Sequence, residues 1–469
     1  MLNEKKQTHN PIKIMIDILF PIETIARELD YRILLAAKVL KKGRRVYICN
    51  HRYLDKKMNL FNGGVYVGKH IYPALPNSHK AIRYKNAKKR GINIIFLHEE
   101  GAVFGGQKDV WENILTSRYD PKGFDQADRI CVWGEWQKSI LQKTLPTAPL
   151  LTTGHPRFDL YKEEYREFYK NQTDKLKETY GDFILINSNY TGANYSANGI
   201  DYFFSPKIGY TPSSPELRQK FVDFYIKTTK SMVDMIGLIH RLSTTFPNKT
   251  LIFRSHPSES DLLYKRVFFG LKNVKVLHEG PIGPWLLAAE TIIHDGCTSA
   301  IEASFCNAHI INYRTSEEEK KTDIRLPSLI GEKLSSVKQV IESIKKKTKT
   351  PINKDSLIEL RSMIENYQSN SFDLLANIIN DSINSDSKPN KNTTSNNKLR
   401  YEYTKYILKR NAKTMRIKLK GKTRAYQNKK FPGFNHQEVR EKVINAEKIT
   451  NKKIKITYTN PLMIVLECE

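Results

Sequence analysis

The sequence predicts an α/β protein of two open parallel-sheet domains facing a cleft, with a basic extension at its C-terminal end. Three observations predict it. Short apolar runs of β character alternate with amphipathic helical segments along residues 10–384, the rhythm of βαβ units. Two such runs end abruptly in polar, phosphate-friendly residues: Leu251–Phe253 in Arg254-Ser255-His256-Pro257, and Thr291–Ile293 in His294-Asp295-Gly296-Cys297-Thr298-Ser299. Ligands of open parallel sheets collect beyond the carboxyl ends of strands, beside helix N-termini. The third observation is length, since 469 residues exceed one ordinary core.

In chain order, residues 10–42 read as a strand and an amphipathic helix, with Pro21 near its start and Lys41-Lys42-Gly43 as its stop. Arg45–Cys49 reads as a buried strand and residues 50–57 as a polar loop after it. Val65–Val67, Ile92–Leu97, Ile130–Trp133 and Leu150–Thr153 follow as strands, with helices at 78–90 and 136–141. Gly154-His-Pro-Arg-Phe-Asp159 opens a crossing helix. A second series starts at Phe183–Asn189. A Gly-, Ser-, Asn- and Tyr-rich insertion at 190–213 reads as a loop over the cleft. A long helix over 216–246, strands near 250, 274, 291 and 309, and helices at 335–346 and 354–382 complete it. The predicted domains are 1–165 and 166–384. A flexible polar linker at 385–399 and the basic extension 400–469 follow.

Lys and Arg number 77 against 49 Asp and Glu, a formal charge of +28. That balance fits an anionic partner: nucleotide, acidic polysaccharide, nucleic acid or anionic lipid. The basic stretch 400–430, with interleaved Tyr and Ile, suits an anionic membrane surface or a polyanion. It lacks the basic-aromatic motifs of RNA modules, so no specific nucleic acid is expected. No apolar run reaches membrane-span length, and the first ten residues carry no apolar signal core. A cytoplasmic protein, peripheral on the inner face of the membrane, is expected. Five scattered cysteines without a Cys-x-x-Cys pair read as reduced thiols.

The chemistry is expected at the strand ends. Thr298 and Ser299 are expected to cap a helix and, with Gly296 and His294, to cradle phosphate oxygens. Arg254, Ser255 and His256 would hold the same phosphate, with Pro257 ending the strand. Glu302, one turn down that helix, would accept ribose hydroxyls. Asn187 and Asn189 would approach the donor. In the first half, Glu99-Glu100-Gly101 ends the best strand. Repulsion and partial burial there would raise one carboxyl's pKa, so Glu99 or Glu100 becomes a general base. Asp55, Lys56, Lys57 and Lys69 are expected on the acceptor side and Arg157 near the hinge. No Asp-x-Asp pair stands at a strand end, so no metal or obligatory cofactor is expected.

The order Glu-Glu-Gly, His-Pro, then a Ser/Thr pair before a helix resembles the bacterial CMP-sugar transferases of GT-B architecture. In these two Rossmann-like domains face a cleft. A wider resemblance is to the surface carbohydrate biosynthesis proteins of bacterial polysaccharide clusters. It rests on residues 21–30, 63–69, 154–159, 254–259 and 294–303, with a weaker continuation at 430–433. The resemblance implies a glycosyltransferase of capsule or lipopolysaccharide assembly. Its donor would be a CMP-linked nucleotide sugar and its acceptor a glycan or lipid-linked glycan. The first acidic position, Glu99, would be the base. His256 would assist departure of CMP, and Thr298 and Ser299 would hold its phosphate. A CDP-polyol phosphotransferase, a nucleotide-sugar 2-epimerase and a non-catalytic polyanion-binding protein remain as alternatives.

Overall fold

A computed structural model describes residues 15–73, 78–102, 108–118, 122–196, 203–206, 210–211, 213–315, 324–347, 351–386, 395–418 and 430–469. Two Rossmann-like α/β units on the GT-B plan make it up. In the first, β1 (Ile16–Ile22), β2 (Arg44–Asn50), β3 (Val65–Gly68), β4 (Asn93–Leu97), β5 (Arg129–Val132) and β6 (Leu150–Thr152) lie in the order β2-β1-β3-β4-β5-β6. In the second, β7 (Phe183–Asn187), β8 (Thr250–Arg254), β9 (Val274–Val276), β10 (Thr291–His294), β11 (His309–Tyr313) and β12 (Glu332–Leu334) lie in the order β12-β11-β10-β7-β8-β9. Pairing among these twelve strands is parallel. Helices cover both faces of such a sheet, so its strands are almost continuously apolar. β4 and β7 are buried along their whole length.

Several elements depart from the sequence expectation. Residues 51–57 form a helix, His51–Lys57, because the Asn50 side chain accepts from the N–H groups of Arg52 and Tyr53. Pro21 closes β1 opposite Cys49 instead of starting a helix. The single helix expected at 354–382 is two, Lys354–Met363 and Ser371–Asp386. The break is tertiary. Asn366 donates to the His155 carbonyl at 3.0 Å and to Asp159 at 2.7 Å, and Asp159 in turn accepts from the Phe372 N–H at 3.4 Å.

The helix Ser371–Asp386 crosses back onto the first unit. Lys38 pairs with Asp373 at 2.5 Å, and Asn93 donates to the Ser382 carbonyl at 3.0 Å. The end of the expected nucleotide domain therefore packs on the first sheet. Residues 387–394 of the expected linker at 385–399 lie outside the described residues, as do 197–202, 207–209 and 212 of the insertion at 190–213. The described part of that insertion turns back on the second unit. Ser196 N–H donates to the Ser258 carbonyl at 2.8 Å, and Phe203 stacks on Phe224 of the long helix Pro215–Thr245 at 5.7 Å.

The C-terminal extension is woven into the first sheet. β13 (Ile454–Asn460) and β14 (Met463–Cys468) form a hairpin, and β14 pairs antiparallel with β2. This covers an edge that parallel pairing leaves open. The helix His436–Thr450 anchors it through Lys442, buried and 2.5 Å from Asp30 of the first helix, Ile25–Val39. Among the described residues no helix is long and apolar enough to cross a membrane.

Candidate functional site

Parallel strands put the chain segments after β1, β3, β4, β7, β8 and β10 at the carboxyl ends of the two sheets. The first wall begins after β4. Glu99 is buried there, accepting from the Tyr31 hydroxyl at 2.5 Å, with Arg32 at 3.5 Å and the His155 Nε2 at 3.2 Å. The His155 Nδ1 accepts from the Arg157 N–H, so Nε2 carries the proton that faces Glu99. Burial opposes charge on Glu99, but His155, Lys69 and Arg32 outweigh it and hold the carboxyl well below its ordinary value. The expected rise is therefore overturned for Glu99: its carboxyl is held in the charged form, with Oε1 on Tyr31 and Arg32 and Oε2 facing His155. Glu100 is different. Its side chain is 51% exposed and lies 3.4 Å from the Arg27 guanidinium. Gly101 allows the turn between strand and cleft, since a Cβ there would stand 2.5 Å from the Trp133 ring.

Arg27 was not singled out from sequence. It sits in the opening turns of the helix after β1 and pairs with Glu28 at 3.2 Å as well as with Glu100. Its Nε is buried without a hydrogen-bond partner. Its positive charge reaches His256 and Glu302 of the second unit. The available signal was its position: a cation just past the carboxyl end of a strand in the same sheet as Glu100.

The second wall presents a neutral imidazole. His256 follows β8, and its backbone N–H donates to the Ser188 hydroxyl at 3.1 Å. Its Nδ1 accepts from the Ser258 N–H at 3.2 Å and lies 3.2 Å from the Thr191 hydroxyl. That leaves Nε2 protonated. Burial first, then the charges of His278 and Arg27, lowers the imidazole pKa to about 4, so the ring is neutral at neutral pH. Beneath it, buried Glu259 accepts from the Tyr190 N–H at 2.7 Å, the Tyr264 hydroxyl at 2.5 Å and Ser188. This network fixes the turn that presents His256.

The other expected phosphate ligands are mostly committed elsewhere. Arg254 donates to the carbonyls of Glu279 and Gly280 at 2.7 and 3.0 Å and lies over the Trp285 ring; burial lowers its pKa to about 10. Ser255 donates to Asp261. His294 is fully buried, its Nε2 on the Ile330 carbonyl at 3.1 Å and its Nδ1 accepting from the Gly296 N–H; burial lowers its pKa to about 3. It is a bracing residue. Gly296 has φ +63°, and a Cβ would collide with Arg314, the partner of Asp295. The expected cap fails in detail. The helix is only Ser299–Ala303, and Thr298 makes no side-chain cap bond. Ser299 accepts from Asn187 at 3.0 Å and donates to the Cys297 sulfur. The Asn187 side-chain Oδ1 stays buried and unpartnered. Asn189 is half-buried two residues beyond β7, and Pro257 is exposed on the turn.

Glu302 faces Arg157 at 3.6 Å, linking the two units; burial raises its pKa against the pull of Arg157 and Arg27. Arg157 lies over the Trp133 and Phe158 rings. On the expected acceptor side, a cavity of about 360 Å³ is lined by Lys69, His70, Lys80, Arg83, Glu99 and Glu100, among others. Lys69 pairs with Glu23 at 2.9 Å, and Asp55 with Arg83 at 3.0 Å. Lys56 and Lys57 turn away from it: Lys56 lies over the Tyr406 ring and Lys57 pairs with Glu402 at 2.6 Å. Among the described residues no three His, Cys, Asp or Glu side chains are grouped to hold a metal ion.

No family model matches the sequence, and no curated protein does. Solved structures do resemble it in fold. The S. aureus MnaA–UDP structure has 10% identity and a TM-score of 0.45, covering 79% of this chain and 97% of that one. The wall teichoic acid polymerase TagF has 10% identity and a TM-score of 0.43, covering 78% and 89%. The UDP-N-acetylglucosamine 2-epimerase from Rickettsia bellii has 14% identity and a TM-score of 0.42, covering 79% and 98%. At that distance the likeness stops at the arrangement of the chain. The chemistry rests on the residues themselves.

Proposed function

We propose that the protein is a glycosyltransferase of bacterial surface polysaccharide assembly that moves a sugar from a nucleotide-activated, CMP-linked donor to a glycan acceptor. One observation carries the reading. An accessible carboxylate, Glu100, and a neutral imidazole with a proton on Nε2, His256, belong to opposite walls, and Arg27 bears on both. In this reading Glu100, not Glu99, takes the proton of the acceptor hydroxyl. The acceptor oxygen bonds to the anomeric carbon as the bond from that carbon to the phosphate oxygen breaks. The electron pair leaves with the nucleotide, and His256 donates a hydrogen bond to the departing phosphate. Fixed donors already aimed at developing charge stabilise the transition state. Glu99 acts through position: with Tyr31, Arg32 and His155 it fixes the strand end that carries Glu100.

The test is a melting-temperature screen against CMP, CDP, UDP and GDP, followed by product analysis with the nucleotide that binds. A ligand bound only by the folded state raises the melting temperature. CMP is expected to give the largest shift, and a glycosidic product the transfer. A phosphodiester product would instead mean phosphotransfer. Turnover of the nucleotide sugar without acceptor would mean epimerisation. No shift with any of the four would remove the donor site altogether.

A further inference from the structure

The helix Asn396–Lys418 divides lengthwise. Its inner face packs on the first unit through Leu399, Tyr403 and Tyr406. Both tyrosine rings meet Tyr53 edge-on, at 6.0 and 5.1 Å, and Glu402 pairs with Lys57. Its outer face, through residue 412, follows helical spacing: positions 400–401, 404–405, 408–409 and 411–412 are exposed. That face carries Tyr401 at 61% and Leu408 at 64% exposure, among Arg400, Lys405 and Lys409. Arg400 and Lys409 have no carboxylate partner among the described residues, and Lys405 has only Glu402, at 4.0 Å. Lys405 also lies over the Tyr401 ring at 5.0 Å. Apolar side chains ringed by cations on one helix face suit an interface of acyl chains and anionic headgroups.

The location gives this surface a use. The short helix His51–Lys57 touches both regions. Its Asp55 pairs with Arg83, which lines the cavity, while Lys56 and Lys57 hold the basic helix. A surface docked on the helix would therefore lie beside the first-unit half of the cleft.

We infer that the outer face of Asn396–Lys418 docks the protein on an anionic lipid bilayer, beside the cavity of the first unit. The inference goes beyond the transferase reading and stands without it: lipid binding needs no donor. Nucleic acid would meet the same cations, but nothing on this face calls for the exposed Tyr401 and Leu408 to stack on bases, whereas a bilayer buries both.

The test is co-sedimentation of the full chain at physiological salt with vesicles of phosphatidylcholine alone and of phosphatidylcholine with phosphatidylglycerol. The wild type is expected to pellet only with the mixed vesicles. Lys405→Glu with Lys409→Glu lowers that partition by about tenfold or more, since each cation near an anionic surface counts. Tyr401→Ser with Leu408→Ser, made separately, lowers it by on the order of tenfold through lost apolar burial. Both pairs point away from the body, so melting curves stay as in the wild type; if one pair fails to fold, the other reads the result. Equal pelleting with both vesicle types overturns the inference. So does the absence of pelleting, unchanged pelleting of both variants, or binding of single-stranded RNA in place of the mixed vesicles.

Discussion

The two walls of the cleft are made of opposite materials. The first is a lattice of full charges: Glu99 with Arg32, Lys69 with Glu23, Arg27 with Glu28 and Glu100. The second is built of hydroxyls, amides and a neutral imidazole around Ser188, Thr191, Glu259 and His256. In the charged wall, depth separates two adjacent carboxylates. Glu99 is spent on its partners, and Glu100 is half exposed beside Arg27. In the polar wall a nitrogen is oriented by hydrogen bonds and kept uncharged by burial. A paired charge is fixed and inert, whereas an oriented neutral donor responds to charge that develops next to it.

The sharpest break of that comparison lies between neighbours. Glu100→Gln is expected to lower turnover by about 10²–10⁴-fold with a wild-type melting curve. Glu99→Ala is expected to cost about 3–5 kcal/mol of stability, because it strands buried Arg32 without its anion. Denaturant unfolding beside steady-state rates checks both. If Glu99→Ala melts like the wild type, the distinction between the two carboxylates is wrong.

Next is the polar wall. His256→Ala should reduce turnover by about 10²–10³-fold with little loss of stability, measured at saturating donor. A rate near that of the wild type would leave the second wall without a chemical role.

The third prediction uses pH. His98, His155 and His294 are buried neutral, with pKa values lowered to about 3, 4 and 3. Below about 6.5 the unfolded chain binds protons that the folded chain refuses, so stability is complete above that pH and is lost as pH falls toward 4. Each histidine contributes a slope of up to about 1.4 kcal/mol per pH unit. Glu99 adds its own loss only at lower pH, as its depressed pKa is reached. His294→Asn should make the curve between pH 6.5 and 4 shallower; an unchanged slope would show that this ring does not titrate on unfolding.

The smallest effect belongs to the link between the walls. Arg27→Gln removes a cation near His256, so the imidazole pKa should rise from about 4, though burial keeps it below 6.5. Histidine ring NMR reads the titration directly. No movement would mean that Arg27 is screened from the second wall.

Much of the plan was legible from the chain. Parallel strands buried on both faces must be apolar throughout, and that regularity marked β4, β7, β8 and β10 with the clusters that follow them. The helix at His51–Lys57 was missed because Asn50 reads equally as a loop residue. The final hairpin was missed because its first strand, Ile454–Asn460, is polar and Tyr-containing, and its apolar second strand lies in a segment read as a basic extension. Ser255, His294 and Ser299 stand at strand ends as expected, and each bonds within the protein there. Their type allows phosphate contact, and their partners Asp261, the Ile330 carbonyl and Asn187 were not legible from the chain.

By itself the sequence determined most of the parallel strands, that two sheets form, and which polar clusters stand at their carboxyl ends. Local pattern and periodicity carry that information. Only the tertiary structure decided which of two adjacent glutamates is buried, that Arg27 joins the walls, and that the last hairpin closes the first sheet. Those outcomes depend on partners 68 to more than 400 positions away, and desolvation and ion pairing are properties of the assembled neighbourhood.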